Sequence, residues 1–266
     1  MALWHLFLLA VLQGVTEFLP ISSSGHLILL PALTDLPDQG PFLDVAVHVG
    51  TLGAVMLYFR KEVARAIMGF FGLLRRRTGP DERLALGLII ATIPVVLLGF
   101  AIQQTVGADA LRSVAVIGWA MLGFGLLLWW YDRTGAQTKD LADWSPSQAL
   151  KLGLWQAVAL IPGTSRSGIC ITGARAMGYG REDAARIAML MSIPTILASG
   201  VLLGADVIGR GTPEIWRDAA IGAAFAFASA LLALWIMMRL LKSVSFTPYV
   251  IYRVLLGTGL LWWAYA

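Results

Sequence analysis

The sequence predicts an all-α polytopic membrane protein built from inverted-topology repeats, with six transmembrane helices and two re-entrant helical hairpins. Three observations carry this. Of 266 residues, 58% are hydrophobic and 14% charged, against roughly 45–50% and 25% in soluble domains. Six stretches, approximately 44–62, 84–104, 113–131, 184–205, 218–239 and 248–266, are apolar over about the 20 residues that cross a bilayer. Two further apolar regions, 3–33 and 147–178, are each interrupted by proline and a run of hydroxyl residues. This composition excludes a soluble enzyme, a disordered chain and a nucleic-acid-binding domain, and the net charge of +4 says little by its total. Cys170 is the single cysteine, so no intramolecular disulfide or multi-cysteine metal site can form.

The N-terminal region 3–33 has no basic leader, carries Glu17 inside its apolar run and shows no small-residue cleavage signal, so it reads as part of the mature fold. Pro20 and Ser22-Ser23-Ser24 split it into two half-helices, as Pro162-Gly163 and Thr164-Ser165-Arg166-Ser167 split the second region. With both regions re-entering on the side they came from, and the 60–83 loop inside, fifteen Lys/Arg fall in cytoplasmic segments and three in external ones. That bias sets the orientation and puts both termini outside. A shift of 143 positions aligns Gln13 with Gln156, Ser22 with Ser165, Ser24 with Ser167 and Gly25 with Gly168. Each half is then a broken hairpin followed by three spans, about 1–131 and 147–266 of a single membrane domain. Three is odd, so the second half is inverted, which brings the two breaks face to face near mid-depth. Gly222, Ala226 and Ala230 make a close-packing stripe on the fifth span. Trp129, Trp130, Trp262 and Trp263 read as interfacial anchors, and Arg75–Arg77 as a positive-inside anchor.

Ionisable groups at membrane depth are costly and point to function. Glu17, His26, Arg166 and Arg253 qualify. Irregular backbone there must be buried in protein or line a wet cavity. Two half-helix N-termini with hydroxyls and free N–H groups make an anion site, with phosphate its commonest guest. Arg166 adds a planar fork suited to phosphate oxygens. His26 lies one turn after Ser23, a pairing that can activate a nucleophile. Glu17, on the other arm, can orient His26, hold a divalent cation, or do both; carboxylate and phosphate oxygens suit Mg²⁺ or Ca²⁺.

At these residues the sequence resembles a known family. Gln13–Leu27 and Pro162–Gly168 are similar to the two signatures of bacterial undecaprenyl-diphosphate phosphatases of the bacitracin-resistance type, approximately E-G-x-T-E-F-L-P-I/V-S-S-S/T-G-H and P-G-x-S-R-S-G. Phe42–Phe59, Ile93-Pro94, Phe246-Thr247-Pro248 and Tyr252-Arg253 extend the resemblance along the chain. It implies a multi-pass enzyme of the bacterial cytoplasmic membrane that removes the terminal phosphate of undecaprenyl diphosphate, recycling the carrier for wall synthesis. Its cavity opens to the external side. It makes Ser23 the nucleophile, Glu17 and His26 the acidic and histidine catalytic positions, and Arg166 the phosphate-binding arginine, with Thr164, Ser165 and Ser167 around it. Ser22, Ser24 and Gln13 complete the substrate-binding set, and Glu17 is the metal ligand. Gln13 stands where many members carry a first glutamate, and an amide is a weaker metal ligand and no base.

The implied partners are a polyprenyl diphosphate lipid and the surrounding membrane lipids, with no nucleic acid; a homodimer stays open. Either His26 or Glu17 accepts the Ser23 proton, and direct attack by water is the alternative to a phosphoserine. The competing function is a polyprenyl-phosphate transporter using the same cavity, since inverted repeats with broken helices are also a transporter architecture. Ser24-Gly25-His26 and Ser165-Arg166 echo type-2 phosphatidic acid phosphatases, but that family needs a histidine where Thr172 stands.

Overall fold

A computed structural model describes residues 3–34, 40–105, 113–207 and 212–266. They form eleven α-helices and two 3-10 turns, with no strand among the described residues. The first interrupted region gives α1 (Leu3–Phe18) and α2 (Ser23–Thr34). After it come α3 (Gly40–Tyr58), α4 (Arg60–Leu74), α5 (Pro80–Thr105) and α6 (Val114–Thr134). The second gives α7 (Pro146–Ala157) and α8 (Arg166–Ala176), then α9 (Arg181–Val207), α10 (Pro213–Leu240) and α11 (Thr247–Tyr265). Local signals set several starts. Ser113 caps α6 through the Val116 N–H. Ser145 and Gln148 form a capping box around α7, with Pro146 as its first residue.

Five of the six apolar stretches fall on one helix each, and the stretch 44–62 is divided between α3 and α4. Among the described residues four helices, α5, α6, α9 and α10, are long and apolar enough to cross a membrane unaided, or five if α3 and α4 are one bent span. The difference from six lies in α3 and α11. The stretch expected over 44–62 ends at Tyr58, where the chain turns by 92° into α4. Arg60, Lys61 and Glu62 begin α4, and three charges in succession cannot continue into hydrocarbon. Instead α4 is amphipathic: Ile67, Met68, Phe70, Phe71 and Leu74 are exposed together, as on a helix lying in the interface plane. α11 carries the buried Arg253, which lowers its apolarity without removing it from the bundle.

Small residues set the packing. α1 lies against α10: a Cβ at Gly14 would stand 2.7 Å from the Ala226 carbonyl oxygen and 2.9 Å from the Ala230 nitrogen. α3 meets the same helix, with Gly50 against Ala223. The small stripe of α10 is thus a close-packing face, as its spacing predicted. α7 approaches α5 in the same way, at Gly153 against Ala91 and Pro94. Each hairpin therefore packs its first arm on a long helix of the other half, α1 on α10 and α7 on α5. The exterior is apolar, with Trp262 76% exposed and Trp130 57%.

The basic connections gather at one end. Asp132, at the end of α6, binds Arg175 of α8 and Arg181 of α9, and its other oxygen accepts the Phe246 N–H before α11. Arg186 of α9 lies 3.8 Å from Glu62 of α4. Arg175 is fully buried and donates also to the Tyr179, Asp132 and Gly135 carbonyls. It is therefore an internal tie between helix ends.

Candidate active site

The two breaks repeat one geometry. Ser22 and Ser165 are non-glycine residues with positive φ, 74° and 70°, a conformation that costs about 1–2 kcal/mol for an L-residue. Each caps the following half-helix: Ser22 Oγ accepts the Gly25 N–H at 3.3 Å, and Ser165 Oγ accepts the Gly168 N–H at 3.1 Å. Each cap also meets a second hydroxyl two residues on, Ser24 at 3.3 Å and Ser167 at 3.1 Å. The 143-residue shift thus aligns bonds as well as letters. It also places Ser23 and Arg166 at equivalent positions, the first residues of α2 and α8. Strain of this kind persists where the surroundings enforce it, and it clusters at active sites.

Between these half-helices sits Glu17, buried at the end of α1. Its Oε1 accepts Arg166 Nη2 at 2.7 Å. Its Oε2 accepts Ser23 Oγ at 2.7 Å and Gln13 Nε2 at 2.9 Å. The breaks are tied directly by Ser167 Oγ, which donates to the Leu19 carbonyl at 3.0 Å. Ser24 is exposed and Ser23 and His26 are half-buried, so the site opens on this side.

The Ser23–His26 pairing suggested by helical spacing is not the one formed. Ser23 turns to Glu17. His26 Nδ1 lies 2.6 Å from the Ser22 carbonyl, which can only accept, so Nδ1 carries the proton. Nε2 then accepts from the Tyr252 hydroxyl at 2.5 Å, and the two rings stack at an interplanar angle of 9°. Tyr252 appeared in the sequence only as part of the family resemblance. His48 of α3 was missed outright, although it is an ionisable residue inside an apolar span. Its Nε2 lies 3.8 Å from Glu17 Oε2, and its Nδ1 donates to the Asp44 carbonyl.

Buried polar groups nearly always have partners. Among the described residues five buried side-chain atoms lack one, and three of these belong to the breaks: Gln13 Oε1, Thr164 Oγ1 and Arg166 Nη1. One guanidinium nitrogen, one hydroxyl and one amide oxygen thus stand ready for a polar guest. The oxygen donors suit a hard cation, with the Glu17 carboxylate and Gln13 Oε1 one helical turn apart on α1. No group of three His, Cys, Asp or Glu that could hold a metal ion occurs among the described residues, so these two side chains would hold a cation only together with other oxygens.

Fold and site together define a multi-pass helical membrane protein whose buried polar cluster lies where two broken helices meet. More particularly, the chain belongs to the bacitracin resistance protein BacA family, whose model matches residues 6–259. A protein of Ruegeria pomeroyi named undecaprenyl-diphosphatase is 68% identical over the full length of both chains. Proteins of the same name from Dinoroseobacter shibae and Saccharophagus degradans are 62% identical over both full lengths and 45% identical over 98% of this chain and 97% of the other.

Proposed function

We propose that this protein hydrolyses undecaprenyl diphosphate to undecaprenyl phosphate and inorganic phosphate, with Ser23 as nucleophile. The observation that carries the mechanism is the bond of 2.7 Å from Ser23 Oγ to Glu17 Oε2, which pairs a nucleophile with its proton acceptor. The diphosphate lies between the N-termini of α2 and α8. Arg166 Nη1 and Thr164 Oγ1 meet its oxygens, and Ser165 and Ser167 hold the loop that presents them. Ser23 Oγ attacks the terminal phosphorus as its proton passes to Glu17. The bond from that phosphorus to the bridging oxygen breaks, and the lipid monophosphate leaves. Water then attacks the phosphoserine and passes a proton to His26, the bond from phosphorus to Ser23 Oγ breaks, and Ser23 recovers its proton from Glu17. For this step His26 Nε2 exchanges the Tyr252 hydroxyl, which it accepts in the resting site, for the attacking water. Both half-helix dipoles favour the negative charge that develops on phosphate. Mg²⁺ or Ca²⁺ would be held by Glu17 and substrate oxygens, with Gln13 Oε1 at most a weak further ligand, and would supply further charge neutralisation.

The chain resides in the bacterial cytoplasmic membrane as two inverted repeats, with the basic end inward and the breaks open to the external side. Membrane lipids bathe its apolar exterior.

The test is phosphate release from a polyprenyl diphosphate by purified protein in detergent, where a transporter has no two sides to work between. The wild type releases phosphate. Ser23→Ala loses more than about a thousandfold, the scale of a removed nucleophile. Release by Ser23→Ala at the wild-type rate would exclude the phosphoserine.

A further inference from the structure

Arg253 remains outside the chemistry just described. It is fully buried in the middle of α11. Its fork is spent on backbone carbonyls from three places. Nη1 donates to Pro20, in the first break, at 3.3 Å. Nη2 donates at 3.2 Å to Gly163, in the second break, and also to Ala120 of α6. Nε donates to Met121 of α6 at 3.2 Å.

The geometry around this fork is built for it. A Cβ at Gly168 would stand 2.9 Å from Arg253 Nη1, and one at Gly125 would stand 3.2 Å from its Cβ and 3.3 Å from its Nε. Glycines on α8 and α6 thus open the space that the side chain fills. A buried charge is an expensive way to fill space, and an apolar residue of similar volume often serves stability as well or better. What the guanidinium adds is direction: its donors lie in one rigid plane, so the carbonyls they hold are fixed relative to one another.

The two break carbonyls matter because of what lies near them. Pro20 is three residues from Glu17 and three from Ser23, and Gly163 is three from Arg166. We propose that Arg253 is a positioning residue of the active site, setting the distance between the Ser23–Glu17 arm and the Arg166 arm by clamping both breaks to α6. It touches neither phosphate nor nucleophile. The inference rests on the phosphatase reading of the site, and it assigns the buried charge to alignment over and above stability.

Arg253→Met keeps the volume and removes the clamp; Arg253→Lys keeps the charge and loses the plane. Phosphate release and thermal unfolding are measured on both in detergent, beside wild type. A misplacement near 1 Å can cost about 10²-fold. Arg253→Met is therefore expected to lose about a hundredfold in kcat, with KM and the unfolding temperature nearly unchanged. Arg253→Lys is expected to recover part of that loss. Combining Arg253→Met with Arg166→Lys is expected to be little worse than the poorer single variant, because Arg253 acts through the placement of the Arg166 fork and that fork is already lost. Wild-type turnover in Arg253→Met, or losses that multiply in the combination, would overturn the proposal. If neither Arg253 variant folds, Gly125→Ala decides, since the three atoms nearest its added methyl all belong to the Arg253 side chain and none to a residue of the reaction. A lowered kcat in that variant at unchanged stability supports positioning, and unchanged kcat refutes it. Inactive wild-type protein would instead refute the phosphatase reading itself, so the two failures are told apart.

Discussion

Glu17 and Gln13 sit one turn apart on α1 and share an oxygen, yet they should answer very differently to substitution. Glu17 Oε2 receives Ser23 Oγ at 2.7 Å and Gln13 Nε2 at 2.9 Å, while Oε1 receives Arg166 at 2.7 Å. Glu17→Gln removes the charge that pairs with Arg166 and the group that takes the serine proton. It also turns an N–H₂ toward donors that need an acceptor. Losing the acceptor of general base catalysis costs about 10²–10⁴-fold, so Glu17→Gln should lose at least about a hundredfold. Gln13→Ala removes one donor from a carboxylate that keeps two others. A single hydrogen bond contributes about 0.5–1.5 kcal/mol, so the rate should fall by no more than about tenfold. Gln13→Glu sets a second carboxyl beside Glu17, where the two share a proton at moderate cost; it too should stay within about tenfold. The assay is phosphate release by the three variants on one polyprenyl diphosphate at one metal concentration. If Gln13→Ala is as inactive as Glu17→Gln, one essential carboxylate with a dispensable amide neighbour is the wrong description of this site.

Three further outcomes are expected. Arg166→Lys should fold normally, as judged by thermal unfolding, yet lose at least about a hundredfold in phosphate release, because a lysine cannot serve Glu17 with one arm and phosphate with the other; near-wild-type turnover would remove the clamp role. Exhaustive chelation should abolish activity and added Mg²⁺ or Ca²⁺ should restore it, whereas full activity in chelator would take the cation out of the reaction. Thr78→Cys in a Cys170→Ser background should resist a membrane-impermeant thiol reagent in intact cells and react after lysis; external labelling would reverse the topology and undo the inverted-repeat argument.

The class of the protein was legible in the sequence, because hydropathy over about 20 residues is a local quantity set by bilayer thickness. The two breaks were legible for a similar reason. Proline, glycine and serine runs act on the backbone within a few residues, and the caps at Ser22 and Ser165 follow from them. What the sequence could not fix was which side chains meet. Spacing on one helical turn offered His26 to Ser23, but Ser23 bonds across the break to Glu17, while His26 is drawn to a tyrosine 226 positions away. The turn at Phe59, the approach of His48 to Glu17 and the tie from Arg175 to Asp132 left no periodic trace either. Arg253 stood out in the sequence as a charge at membrane depth, but its purpose depends on carbonyls of Pro20, Ala120, Met121 and Gly163, which only the packed helices bring around it. Local chemistry decides where a chain bends and what it dissolves in. The partner of a buried polar group is decided by whichever donor or acceptor the tertiary packing leaves within 3 Å or so, since at that depth no water competes for it.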